Sequence, residues 1–268
     1  MKTEVSFSIV FSQTANFIRN RFWPIALISF LLNLVASLLL KNTFDIAIIT
    51  QLLQTGNPSG LPLLLKMVII KSVLFIIIDA ILIAVIYNYS VNDYLNTNTV
   101  FSRILPNALN IIGFQLIFLI ILPVIFLLGI LIFMVLGIII PKMLTILLFA
   151  IVAIVFAIFF NALYYNFCGL ITQPTAKSFF EKFAECNRSA LIHWRFALPM
   201  MLIYLLIVVI ISLLNNSANN NIFLSVIYPT LITILNVFTI CFFYRLNMLL
   251  ISNKSTLEPP QQNNNLII

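Results

Sequence analysis

The chain has 268 residues, of which 62% are apolar and 8% charged, with a formal net charge of +7 and a mean hydropathy of +1.15. A soluble domain carries about 25% charged residues, and no soluble core hides this much apolar surface, so the solvent for most of the chain is lipid. That excludes an ordinary soluble enzyme. The basic residues lie beside apolar runs, which points to anionic headgroups as the partner and away from nucleic acid.

A bilayer leaves no water for unpaired backbone groups, so spans are helices or closed barrels. The apolar runs are long and lack the alternation of a barrel strand. An all-α, polytopic bundle is expected, with one integral membrane domain over 1–252. Cys168, Cys186 and Cys241 show neither CxxC spacing nor a nearby histidine pair, so neither a disulfide framework nor a zinc site is expected. Residues 1–40 make a poor secretory signal, because the polar start is long and no small-residue cleavage site follows. The first span is therefore expected to be retained.

Taken in chain order, 3–22 reads as an amphipathic helix lying on the membrane. Phe7, Val10, Phe11, Thr14, Phe17, Ile18 and Phe22 share one face, with Gln13, Asn16, Arg19 and Asn20 opposite. Spans are predicted at about 24–40, 67–89, 110–136, 143–167, 199–214 and 223–251. Residues 46–53 are expected to dip into the interface before a turn at 55–60, and 253–268 reads as a disordered polar tail. Pro123 and Pro229 fall inside spans and should kink or unwind them. Polar segments precede Pro24, Pro106 and Pro199, and each leads into a helical hairpin. Every hairpin ends in an aromatic cluster, at 86–89, 163–167 and 242–247. This suggests three hairpins, each with an interfacial lead-in helix, repeating at about 80 to 90 residues. Lipid-friendly composition and an aromatic belt produce the same pattern.

Of the 14 Lys and Arg residues, ten flank one side of the predicted bilayer. Only Lys41, Lys66, Lys71 and Lys142 flank the other. The positive-inside rule then places both termini and the 173–199 loop in the cytoplasm.

The segments SQTANFIRNRFWPIALISFLL at 12–32, NRSALIHWRFALP at 187–199 and FFYRLNMLLIS at 242–252 resemble the YciC-type family of uncharacterised bacterial inner-membrane proteins. The resemblance covers most of the chain in order. It implies an inner-membrane location, six transmembrane helices and a gammaproteobacterial source, and it carries no catalytic motif.

Asp79 is the leading chemical candidate, since a carboxyl group in mid-span is expensive and functional by default. It either serves a proton or solute path or bonds to a hydroxyl or amide of another helix. Lys71, about 12 Å along the axis, is too far for direct pairing. Asn33, Gln115, Asn161 and Asn236 are the other intramembrane polar candidates, as interhelical hydrogen bonds or as a solute lining. In 173–199, Phe179, Phe180, Phe183, Leu191 and Trp194 form an apolar stripe. Lys177, Lys182, Arg188 and Arg195 are candidate headgroup contacts. His193 has no metal-ligand neighbour in sequence.

With six glycines and no paired carboxylates, HExxH or G-x-S-x-G, no cofactor or metal is expected and an enzyme is not. Three functions remain in view. They are a non-catalytic envelope or lipid-interacting component, a small transporter or channel subunit for an apolar or amphipathic solute, and, last, a membrane-embedded lipid enzyme.

Overall fold

The computed structural model describes residues 5–43, 51, 54–55, 60–173, 177–216 and 222–255. Among them lie eight helices and no strand. They are α1 (Phe7–Asn20), α2 (Phe22–Thr43), α3 (Gly60–Val91), α4 (Thr97–Ile139), α5 (Lys142–Ile171), α6 (Phe179–Ile192), α7 (Trp194–Asn216) and α8 (Ile222–Ser255). Six of them, α2 to α5 with α7 and α8, are long and apolar enough to cross a bilayer. The protein is a polytopic helical membrane bundle, and each predicted span falls inside one of these helices. The expected dip at 46–53, most of the 55–60 turn, the middle of the 215–221 link and the tail beyond Ser255 lie outside the described residues.

Local chemistry sets the helix starts. Ser6 caps α1 by accepting from the Ile9 N–H at 3.3 Å. Asn96 caps α4, its Oδ1 accepting from the Asn98 and Thr99 N–H groups. Ser178 and Glu181 close a reciprocal capping box on α6.

The last helix, α8, is the centre of the bundle and touches α1, α2, α3, α5 and α7. Among the spans it has the lowest mean hydropathy and the largest buried share, whereas α4 is the most hydropathic. This follows from the solvent. Thr230, Thr233, Asn236, Thr239 and Asn247 are buried on α8 because protein surrounds them, while a lipid-facing helix has no partners to offer such groups. The helices of each predicted hairpin touch, yet the most extensive packing runs across hairpins, α3 along α4 and α5 along α8. At the second of these, α5 crosses α8 at Gly169. A Cβ there would lie 2.7 Å from the Tyr244 backbone nitrogen, so only glycine permits the approach.

Four expectations are corrected. The face of α1 does not rest on lipid alone, because Phe7 and Phe11 pack on Phe242 and Phe238 of α8 at 5.4 and 5.2 Å. Val10, Thr14, Phe17 and Ile18 are buried with them, while Phe22, expected on that face, is exposed. The second lead-in is not a separate helix: 97–105 continues into α4 through Pro106. It is held along α3, with Arg103 lying 4.1 Å from the Tyr87 ring and the Asn107 amide donating to the Ala80 carbonyl. Pro123 and Pro229 unwind nothing, since each sits inside a continuous helix. Finally, the apolar stripe of α6 is split. Phe179 and Phe183 pack against Phe114, Phe118 and Phe167, while Phe180, Leu191 and Trp194 point outward.

Candidate functional site

The six spans together enclose a transverse layer of buried polar side chains. On α3, Asp79 is 1% exposed, and its Oδ2 accepts a hydrogen bond from the Tyr164 hydroxyl of α5 at 2.5 Å. The Asp79 Oδ1 atom is buried without a partner. Beside this pair, the Tyr165 hydroxyl lies 2.7 Å from both the Tyr204 hydroxyl of α7 and the Asn236 Oδ1 of α8, and Tyr204 donates to the same Asn236 oxygen at 3.0 Å. On the far side of α8, the Asn33 amide of α2 donates to Thr233 Oγ1 at 2.9 Å and to the Ser29 carbonyl of its own helix at 2.8 Å. Asn107 supplies the link from α4 to α3. Tyrosine side chains on a helix lean toward its N-terminus. That lean lets adjacent Tyr164 and Tyr165 reach different helices at about the same depth.

Nearer the end that carries α1 and α6, a second network joins three helices. The Asn247 amide donates to Asn166 Oδ1 at 2.9 Å, and the Asn166 amide donates to the Cys186 carbonyl at 3.1 Å. Ser189 of α6 lies 3.4 Å from Asn247 Oδ1. Asn88 plays the matching part at the end of α3, accepting from the Asn96 N–H and donating to the Tyr94 carbonyl. Asn88, Asn166 and Asn247 sit in the three aromatic clusters that suggested the repeat, and each ties a hairpin to a lead-in segment. The cysteines are free and buried. Burial pushes the Cys186 thiol well above its ordinary range, which makes it inert as a nucleophile.

Of the predicted intramembrane candidates, Asp79, Asn33 and Asn236 belong to the buried layer. Asn161 does not, because its amide only bonds back to Ala157 of its own helix. Gln115 does not either. It lines a lipid-facing groove of about 350 Å³ with Val68, Lys71, Ser72 and Phe75, on the other side of the Phe75 ring from Tyr164. Tyr164, Tyr165, Tyr204, Asn166 and Asn247 complete the buried networks and were not among the candidates.

The basic candidates gather on α6 and the start of α7. Lys177 is occupied by Glu185 at 2.6 Å. Arg188 and Arg195 are exposed and form no ion pair among the described residues. Partial burial, and then the neighbouring Arg103 charge, hold the Lys182 ammonium below its ordinary pKa. Exposed Phe180, Leu191, Ile192 and Trp194 stand among these cations, apolar anchors interleaved with positive charge. Glu181 is spent on the cap. Its hydrogen bonds from the Ser178 N–H and with the Ser178 hydroxyl hold its carboxyl below the ordinary range.

Compared with known proteins, the chain matches no family model, no curated protein and no solved structure.

Proposed function

We propose that this protein is a non-catalytic, lipid-interacting component of the bacterial inner membrane that works through the end carrying α1 and α6. The observation that carries the reading is the pairing of exposed Phe180, Leu191, Ile192 and Trp194 with Lys182, Arg188 and Arg195, which no acid among the described residues neutralises. Such a surface seats its rings at the headgroup boundary and leaves its cations level with lipid phosphates. The Lys and Arg bias sets this end, with both termini, in the cytoplasm, and the YciC-type resemblance agrees with that location. Against the transporter alternative stands the enclosure of Asp79, which meets Tyr164 and no open path.

The test is reconstitution into nanodiscs containing either phosphatidylcholine alone or phosphatidylcholine mixed with phosphatidylglycerol. Phosphatidylglycerol should raise the unfolding midpoint, and K182Q/R188Q/R195Q should remove most of that gain. An equal midpoint in both lipids defeats the proposal.

A further inference from the structure

Two arginines from distant parts of the chain share one ring. The guanidinium carbons of Arg21 and Arg245 lie 4.8 and 5.6 Å from the centre of the Phe17 ring. Arg21 is also 5.6 Å from the Tyr89 ring, and Arg245 is 5.9 Å from that of Tyr244. All three rings are buried, so they form a fixed apolar floor under two positive charges. The stacking is favourable for each cation taken alone, but two like charges above one apolar floor repel and are poorly screened.

Little in the protein offsets that repulsion. Asp93 Oδ1 approaches Arg21 Nη2 at 3.6 Å, but its side chain is fully exposed, where an ion pair contributes little. Arg245 has no acidic partner among the described residues. The Arg21 Nε donor is buried and donates to nothing, an uncommon state for a buried polar atom. Next to Arg21, at the start of α2, Phe22 and Trp23 are exposed, Trp23 at 80%. Tryptophan beside a span end marks the headgroup level.

We propose that α1, α2 and α8 form a discrete binding site for the phosphate of one anionic phospholipid, held between Arg21 and Arg245. The unused Arg21 Nε and the two guanidinium forks meet its oxygens in the geometry that arginine offers phosphate. Phe22 and Trp23 border its glycerol and upper acyl chains. The site rests on the lipid-interacting reading above but is separate from α6, the surface that carries that reading. It would tie the N-terminal helix to the central helix through the lipid.

Native mass spectrometry of the full-length protein, titrated with phosphatidylglycerol, phosphatidylcholine or inorganic phosphate, tests it. The wild type should retain one phosphatidylglycerol more tightly than any phosphatidylcholine. R21Q/R245Q should weaken that first binding event about tenfold, the loss of one charge-assisted hydrogen bond. K182Q/R188Q/R195Q should leave the first event in place and weaken the later ones. No preference for phosphatidylglycerol in any variant would sink both this site and the function proposed above. A preference lost only in the α6 variant overturns the Arg21–Arg245 site alone. Inorganic phosphate competing at the affinity of the lipid would reassign the site to free anions. Should R21Q/R245Q fail to fold, Arg245→Gln and Arg21→Lys serve singly. Arg21→Lys keeps the charge and loses the fork, so unchanged first-event affinity in both would overturn the proposal.

Discussion

The two ends of the α4–α5 hairpin obey opposite rules. Near Phe114 and Tyr164 the hairpin is clasped by α3, α6 and α8, and its side chains include the aspartate-bonded tyrosine and the asparagine that reaches Asn247. From Leu119 to Val155 nearly every large apolar side chain is exposed, and the ring contact of Phe133 with Phe149 joins the two helices. At 43 residues, α4 is about 64 Å long, roughly twice the hydrocarbon thickness, so its far half stands clear of the other spans. The lesson is about solvent. A polar group enters this protein only where a second helix can satisfy it, and where lipid is the neighbour the sequence reduces to Leu, Ile, Val and Phe.

The sharpest break of that contrast is a pair of glycines. Gly169→Val forces a branched side chain into the backbone of Tyr244, already 2.7 Å from an added Cβ, and should cost about 3 kcal/mol. Gly129, in the exposed half, has nothing within 4 Å of such an atom. Gly129→Val should therefore change unfolding free energy by no more than about 0.5 kcal/mol. Denaturant unfolding of both variants in the same detergent compares them directly.

A second break concerns the buried layer. Tyr164→Phe leaves Asp79 without its hydroxyl partner and should cost about 2 kcal/mol. Asp79→Leu with Tyr164→Phe removes both polar groups and should recover most of that loss, a double-mutant cycle with strong coupling. Asn236→Leu should cost about 1 kcal/mol, the scale of an interhelical hydrogen bond in lipid, because Tyr165 and Tyr204 retain each other.

The smallest effect is local and depends on pH. The Glu181 carboxylate is favoured in the folded state by its bonds with Ser178, so its cap is intact above the ordinary glutamate value of 4.5 and is lost as pH falls through the lowered folded value. Hydrogen exchange should then rise at the first turn of α6 while the spans stay protected. Glu181→Gln, which keeps an acceptor without the charge, should remove most of that pH dependence.

The spans were legible in the sequence because hydropathy measures the one thing lipid demands, a long run without charges. Asp79, Asn33 and Asn236 were legible for the same reason, as exceptions to it. Tyr164 and Tyr165 were not. A tyrosine near a span end also suits the aqueous boundary, and nothing in LYYNF says whether its hydroxyls meet water or another helix. That depends on which helix lies alongside and at what depth. Asp79 and Tyr164 are 85 positions apart, and Asn166 and Asn247 are 81. Asn161 shows the converse error. It is an amide in a span like Asn236, but it falls on the lipid side of α5 and bonds only within its own turn. The fate of α1 was half legible: periodicity identified the face, and only the fold showed that α8 covers it.

The central claim is that the intramembrane polar layer is closed and structural, and that the surface available for function lies at the end carrying α1 and α6. Thiol accessibility at position 79 tests it most directly. The three buried native cysteines would be replaced, Asp79→Cys introduced, and the protein exposed in intact membranes to a small hydrophilic maleimide, with Asp93→Cys as the exposed control. The account predicts labelling at 93 from the side that carries α1 and α6, and none at 79. Labelling at both, in a protein that still folds, would mean that water reaches the middle of the bundle, and the layer around Asp79 would then be a path.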